Sequence, residues 1–447
     1  MSGPPYYLSS TMNENAADNS EIIETVITKL VTGGAGLGRH EGQAVFVRGT
    51  APGDTVRARV VMRKKGFIEA ELVELVDPGP DRQEPPCPHY SVCGGCDLQH
   101  LTDEAQQRLK TDIVVDCFQR LGQMDISDRI TPPAVAGPSL GYRNKIRLFA
   151  SPTGQYGLVR KRSNEVVPLD TCLQMPSRFT DEILPWLRTL PPMEQIVLRL
   201  DSTGDFLCSL FGRPNRARVL KQIIGGLSSS EPPLAGCRGL LFNNLPLWGR
   251  DYLVHRVANK NYRVGVLSFF QANLAEVEAV IAAIKCWLAA KQAPAGWLAD
   301  LFCGVGLFSL ALADRFDGLL AIDSDEYAIH DARNNVQRDS EARDKVTVRQ
   351  GTITGLLSSA NPPAIPDAAR ESLCCLVDPP RRGLGEYACA TLLKLRPRDI
   401  IYLSCDPATL ARDAQVLCKG GYELQRIQVI DMFPRTAHIE SLVFFTA

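Results

Sequence analysis

Four apolar stretches of this 447-residue chain stop on residues that can do chemistry. WLADLFCGVGLFSLALA, residues 297–313, runs into Gly304-x-Gly306 and then into a helical pattern. Nineteen residues past Gly304 a second run, GLLAI, ends at Asp323. LCCLVDPPRRGL, residues 373–384, puts Asp378 at the tip of a third, and IIYLSCDPATL, residues 400–410, puts Cys405 at the tip of a fourth. Parallel strands that end together offer these residues to one edge, where ligands of open α/β sheets bind. Glycines admit a ligand close to the backbone, and an acid at the next strand end can accept hydrogen bonds from ribose hydroxyls. No third glycine completes G-x-G-x-x-G and no Walker lysine follows. The loop therefore suits S-adenosylmethionine (SAM), which has no phosphates to cradle, better than NAD or ATP. The bland alternative is an ordinary tight βα turn, and Asp323 counts against it.

Amino-group methyltransferases carry an aromatic residue after Asp-Pro-Pro to stack on a base; here Arg381 takes that place. A thiol at the neighbouring strand end suggests different chemistry. Carbon 5 of a pyrimidine is a poor nucleophile, but a thiolate added to carbon 6 turns the ring into an enolate that can attack an electrophilic methyl group. A free thiol, with a pKa of roughly 8.5, is little ionised at neutral pH, so the site must favour the thiolate. The alternative for Cys405 is an inert core cysteine. A base must then remove the proton left on carbon 5. FPRTAHIESLVFFTA offers Glu440, with His438 expected two residues before it on the same strand face; the alternative is a surface ion pair.

A second constellation is Cys87, Cys93 and Cys96, in CPHYSVCGGC, with Cys172 in LDTCLQ as a possible fourth. Four cysteines suit zinc or iron–sulfur, and spacing does not choose between them. Fourteen cysteines and no secretory leader point to a reducing cytoplasm, where cysteine serves metal or catalysis.

These residues need scaffolding. Hydrophobic content of 45% and charged content of 22% suit globular domains, and no apolar run reaches a membrane span. Residues 1–20 read as a disordered tail. Residues 21–80 alternate in period two (Val56-Arg57-Ala58-Arg59-Val60) between turn signals, which predicts a small β-barrel. GGAGLG, Gly33–Gly38, precedes a strand and not a helix, so it is expected to be a hairpin loop. A proline-rich linker leads to a central α+β domain, 81–265, with a helical segment stopping at Gly122 and another over 216–227. From 266 to 447 the pattern alternates helix and strand, as in a doubly wound, Rossmann-like α/β domain. A net charge of −1 decides nothing about nucleic acid, and basic clusters such as Arg143, Lys145 and Arg147 are weak alone.

Five motifs in order, FFQAN (Phe269–Asn273), DLFCGVG, VDPPRRG, SCDP and FPRTAHIE, resemble the RNA uridine-5 methyltransferase family over residues 21–447. The likeness is greatest to the iron–sulfur-containing 23S rRNA (uracil-5-)-methyltransferases. The resemblance implies Cys405 as nucleophile and Glu440 as base. It places Gln271, Phe302, Gly304, Asp323 and Asp378 at the cofactor, with Asp378 also beside the uracil, where its carboxylate could accept the N3–H that cytosine lacks. CGGC followed by Gln-His, with Asp170-x-Cys172, resembles the ligand set of a [4Fe-4S] cluster. The barrel resembles a TRAM domain, an OB-like module whose basic positions would track RNA phosphates. Two departures from the family pattern are Leu307 after the second glycine and Asp323 where glutamate is commoner. The expectation is a cytoplasmic, monomeric, SAM-dependent enzyme acting on ribosomal RNA. Transfer RNA is the alternative substrate, and a non-catalytic iron–sulfur RNA-binding protein the alternative class. A DNA cytosine-C5 enzyme fits less well, because its nucleophile follows a proline.

Overall fold

Period-two burial appears where alternation predicts it. In the strand Thr55–Arg63, Val56 and Ala58 are inside while Arg57 and Arg59 are outside. The computed structural model describes residues 21–133, 136–213, 232–291, 296–357 and 365–447, so the expected 216–227 helix and the 1–20 tail lie outside the described residues. The chain divides into two compact units, one ending at Gln83 and the other spanning Glu84–Ala447.

The first unit is a six-stranded sheet in the order Ile22–Val26, Thr55–Arg63, Phe67–Asp77, Gln43–Arg48, Ala35–His40, Lys29–Leu30. It curls over a core of Ile23, Val45, Val47, Val56 and Ile68. Of GGAGLG, Gly33 and Gly34 lie in the turn, while Ala35–Gly38 already belong to the strand Ala35–His40, which forms a hairpin with Lys29–Leu30. Two of the alternating basic residues face carboxylates. Arg57 lies 3.2 Å from Glu74 and Arg63 lies 2.7 Å from Glu21. Exposed pairs of this kind are worth about 1 kcal/mol or less, so phosphates can compete for them. Asp54 is fully buried and accepts from the Ala51 and Gly79 N–H groups and from Arg82, which ties the linker to the barrel.

The second unit holds two large sheets. The first has seven strands in the order Val166–Pro168, Tyr156–Val159, Lys145–Ala150, Gln195–Leu200, Phe206–Phe211, Cys237–Phe242, Leu245–Gly249. It packs around Phe179, Ile183, Leu198 and Phe206. The second has eight, in the order Val346–Gln350, Gly318–Asp323, Trp297–Leu301, Cys374–Val377, Asp399–Ser404, Glu440–Thr446, Glu423–Ile430, Ile130–Thr131. The first five of these are parallel, as the apolar runs predict. Glu440–Thr446 is antiparallel to both its neighbours.

The 252–265 hairpin, expected in the central domain, packs instead with this second sheet, and so does the 102–122 helix, whose docking the sequence leaves open. The hairpin Tyr252–Val257/Lys260–Gly265 contributes Val257, Tyr262 and Val264 to its core, and buried Asp331 accepts from the Gly265 N–H and the Ser268 hydroxyl, both at 2.6 Å. The helix Asp103–Cys117, started by a Thr102 cap and ended near Gly122, lies against the helix Pro407–Lys419. Ile130–Thr131 then adds an edge strand. Local pattern finds these elements but not their docking, because the hairpin's partner Asp331 lies 66 positions from Gly265 and the helix's partner Asp431 lies 321 positions from Lys110.

Lys110, on that helix, is 1% exposed and lies 2.6 Å from the Asp431 carboxylate. Removing one partner of a buried pair strands the other's charge, so Lys110→Ala is expected to lose about 3–5 kcal/mol of stability, while Lys110→Met with Asp431→Leu recovers most of it. Urea midpoints measure both; a single-variant loss below about 1 kcal/mol would contradict the pairing argument.

Candidate active site

Chain order in the eight-stranded sheet reverses between Trp297–Leu301 and Cys374–Val377: the chain leaves the first outward in one direction and returns to continue in the other. A crevice forms outside the carboxyl ends of strands at such a reversal. The residues that follow these two strands are Phe302 to Gly306 and Asp378.

The loop after Leu301 is held tightly. The N–H groups of Phe302 and Cys303 both donate to the Ile322 carbonyl, at 2.9 and 3.0 Å. Phe302 adopts φ +70°, Gly304 +54° and Gly306 +84°. A side chain at Phe302 in this region is strained, whereas glycine is not. A Cβ on Gly304 would meet nothing within 4 Å, so open space adjoins this backbone. The Gly304 N–H donates to Asp323 Oδ2 at 2.9 Å, joining the loop to the acid of the next strand. Asp300 lies beneath, fully buried; Oδ2 accepts from Ser309 at 2.5 Å while Oδ1 has no partner. Burial pushes the Asp300 carboxyl up to about 7. The motif DLFCGVG contains this acid, but only the structure shows that it lies under the loop. Leu307 is buried in the core, so it faces packing rather than the open space above Gly304.

Asp378 is half-buried at the next strand end, and Gln271 Nε2 donates to its Oδ2 at 3.4 Å. Its carboxyl is pushed up to about 7, first by burial and then by the charge of Asp300. Gln271 is itself fixed from the other sheet: Asn144 Nδ2 donates to the Gln271 carbonyl at 2.8 Å, and the Asn144 N–H donates to Ala272. No sequence signal marked Asn144. Cys405 follows Ser404, half-buried, at the start of a helix capped by Asp406. Its thiol is pushed up to about 12, by burial first and then by the charges of Glu440 and Asp378, with Arg381 opposing.

The antiparallel strand completes the group. A strand running against parallel neighbours begins where they end. Ser441 pairs with Ser404, which places Glu440 beside Cys405. Glu440 is 6% exposed, and burial, reinforced by Asp378 and opposed by Arg381, raises its carboxyl well above the ordinary range. Cys405, Glu440, Asp378 and Gln271 therefore meet at one edge with the 302–306 loop. His438 does not share a strand face with Glu440: it lies in the preceding turn, 3.1 Å from Arg381 through Nδ1. An irregular stretch through Ile439 starts the strand at Glu440, later than the expectation had it.

The cysteine constellation lies elsewhere in the unit. Cys87, Cys93, Cys96 and Cys172 line one cavity of ≈ 200 Å³, with His89, Gln99, Arg143, Lys145 and Gln174. Burial pushes the thiols of Cys93, Cys96 and Cys172 up, and neighbouring cysteines of the group act in the same direction. Gln174 is 3% exposed with neither amide atom paired, and His89 Nε2 is also without a partner. The chemistry of the donors and these orphaned polar atoms fit an inserted group. Among the described residues, no three His, Cys, Asp or Glu side chains are drawn together as ligands of a metal ion.

Comparison with known proteins follows the same division. Residues 364–447 match the tRNA (Uracil-5-)-methyltransferase family model and residues 20–73 the TRAM domain model. The chain is 32% identical over 448 residues to the 23S rRNA (uracil(1939)-C(5))-methyltransferase RlmD of Aeromonas salmonicida, covering 95% of this chain and 96% of that protein. It is 32% identical over 432 residues to an uncharacterized RNA methyltransferase of Aquifex aeolicus, covering 94% and 97%. The crystal structure of Pyrococcus abyssi tRNA (uracil-54, C5)-methyltransferase in complex with S-adenosyl-L-homocysteine shares the fold, with TM-score 0.70, 22% identity, and coverage of 95% of this chain and 100% of that one. No helix among the described residues is long and apolar enough to cross a membrane.

Proposed function

The chain belongs to the RNA uracil-C5 methyltransferase family, and from that premise we propose that it methylates carbon 5 of uracil in ribosomal RNA through a covalent bond to Cys405. The observation that carries the reading is the meeting of a half-buried thiol, a buried carboxylate and the 302–306 loop at one sheet edge. SAM supplies the electrophilic methyl group when bound. Phe302, Gly304 and Asp323 would hold its nucleoside end, and Gln271 and Asp378 its sulfonium end.

The residues of the chain do the rest. Cys405, as thiolate, forms a bond to carbon 6 of uracil, and the ring's double-bond electrons move toward O4. Carbon 5 takes the methyl group from the cofactor, which leaves as the neutral thioether. Glu440, as carboxylate, accepts the carbon-5 proton. The electrons of that C–H bond re-form the ring double bond, and the sulfur of Cys405 departs with its own pair. Asp378 holds the base by accepting N3–H, which cytosine lacks. A stacked uracil must first leave its helix to reach the thiol, and the TRAM unit supplies RNA affinity. Ribosomal RNA is favoured over transfer RNA because the relatives that match almost end to end include enzymes named for 23S rRNA.

The cysteine cavity would hold a [4Fe-4S] cluster through Cys87, Cys93, Cys96 and Cys172. Four thiols around one cavity, with Gln174 and His89 Nε2 unpartnered beside them, support an inserted group, and the resemblance of CGGC followed by Gln-His, with Asp170-x-Cys172, favours iron–sulfur over zinc. Methyl transfer moves no net electrons, so the group is structural in this reading. Anaerobically prepared protein is expected to be brown, with iron and sulfide in stoichiometric amounts, and Cys96→Ser to lose them. A colourless, zinc-loaded protein overturns the cluster.

The function is tested with ribosomal RNA carrying 5-fluorouridine. Fluorine cannot leave carbon 5 as a cation, so the reaction stalls after methyl transfer with the RNA bonded to Cys405. A denaturation-resistant adduct is expected with SAM present. Its persistence in Cys405→Ala would contradict the assignment, and its absence with both RNA classes favours a binding protein.

A further inference from the structure

The cysteine loop is joined directly to the turn that leads into Glu440. Asp97 follows Cys96. Its backbone N–H and that of Leu98 both donate to the Arg435 carbonyl, each at 3.0 Å, and its Oδ2 accepts from the Ala437 N–H at 3.1 Å. Asp97 is itself fixed from the cysteine side. Tyr90, between Cys87 and Cys93, donates its hydroxyl to the Asp97 carbonyl at 2.5 Å, and Lys161 Nζ lies 3.4 Å from Asp97 Oδ1.

The turn needs outside support. Arg435 sits at φ +65°, a conformation costly for a side-chain-bearing residue that persists only where its surroundings over-determine it. Its N–H donates to Gln106 Oε1 at 2.8 Å, and the Thr436 hydroxyl donates to the Phe433 carbonyl at 2.8 Å. Residues 435–437 thus share three bonds with Asp97 and Leu98 and one with Gln106, and the Arg435 guanidinium also meets Asp103 at 3.2 Å and donates to the Ser139 hydroxyl at 3.2 Å; of these, the bonds with Asp97 and Leu98 come from the cysteine loop. The next residue, His438, meets Arg381, and two further on stands Glu440.

We propose that Asp97 is a positioning residue for the second half of the reaction: by holding the 435–437 turn to the cysteine loop it sets the Glu440 carboxylate over the carbon-5 proton. The inference rests on Glu440 being the base. It gives the cysteine loop a part in turnover without electron transfer, because whatever fixes Cys96 also fixes the register of the strand that begins at Glu440. Steps before proton removal are carried by Cys405 and the 302–306 loop, which reach the site from other strands; Glu440 acts on them only through its charge, which Asp97 variants keep.

The experiment compares Asp97→Ala and Asp97→Asn in the full-length, cluster-loaded protein. On 5-fluorouridine RNA, which reports only the steps through methyl transfer, Asp97→Ala is expected to form adduct within about twofold of the parent rate. On ordinary uridine RNA its turnover is expected to fall about 10- to 100-fold, the cost of a misplacement on the order of 1 Å, and a methylated covalent complex to accumulate. Asp97→Asn keeps an oxygen able to accept from Ala437 and should recover most of the turnover. Equal slowing of both reactions, or an Asn variant as poor as Ala, overturns the assignment and indicates a general folding role. Unchanged turnover in Asp97→Ala also overturns it. Failure of the parent protein to form any adduct sinks the proposed function instead, so the two failures are separable.

Discussion

Replacing Cys405 by alanine is expected to slow uracil methylation by about 10⁴-fold or more, a loss typical of removing a nucleophile from a concerted set of catalytic groups and equivalent to about 5.5 kcal/mol of barrier. Carbon 5 has no other route to the electron density it needs. Cys303, the thiol of the 302–306 loop, is 4% exposed and bonded to the Gly304 carbonyl, so it is not placed to substitute. Alanine fits a half-buried site at the end of Asp399–Ser404, so the fold and cofactor affinity are expected to survive. Transfer of label from methyl-tritiated SAM to RNA measures the rate, and equilibrium dialysis the affinity. A rate within tenfold of the parent protein would refute covalent catalysis at this position.

The second large effect is expected from Glu440→Gln. Without a carboxylate the methylated adduct cannot lose its proton, so turnover should fall by about 10²- to 10⁴-fold, and RNA with ordinary uridine should become trapped on the protein. The pH dependence follows from three groups that work deprotonated: Asp378, whose carboxyl is pushed up to about 7, Glu440 and Cys405. Burial raises the Glu440 carboxyl well above its ordinary range, and the Cys405 thiol is pushed up to about 12, by burial first and then by Glu440 and Asp378. A base whose pKa is raised gains its active form only as pH rises, and a raised thiol does the same. The parent protein is therefore expected to speed up steadily from pH 6 to about pH 9, with no falling alkaline limb in that range. Glutamine removes one negative charge beside the thiol. Adduct formation on 5-fluorouridine RNA should then begin at lower pH in the variant, even as turnover collapses. An unshifted profile, with no trapped uridine, would assign the proton to another base.

What the sequence discloses of this site depends on how locally each feature is encoded. Asp378 and Cys405 end short apolar runs, and parallel strands put such ends on one edge, so their meeting follows from pattern alone. The glycines of 302–306 announce a close backbone approach in the same way. Glu440 is different. Its place beside Cys405 requires Glu440–Thr446 to run antiparallel between Asp399–Ser404 and Glu423–Ile430, and an apolar run such as LVFF carries no mark of its direction. Asn144, which fixes Gln271 from the seven-stranded sheet, and Asp97, which fixes the 435–437 turn, are ordinary polar residues whose partners lie 127 and 340 positions away. The docking of Asp103–Cys117 and of the 252–265 hairpin on the C-terminal sheet is hidden for the same reason. Charge is a further case: Arg57 and Arg63 look free in sequence because the glutamates opposite them come from other parts of the barrel.

The direction of Glu440–Thr446 also bears on how the protein is made. During vectorial synthesis on the ribosome, both neighbours of this strand emerge before it does, and each carries a bare edge of unpaired amides and carbonyls until it arrives. The newborn chain can thus pair its parallel strands early, yet the gap beside Asp399–Ser404 stays open until Glu440–Thr446 inserts. Until Glu440–Thr446 has slotted between them, those two edges are open to mispairing with other chains.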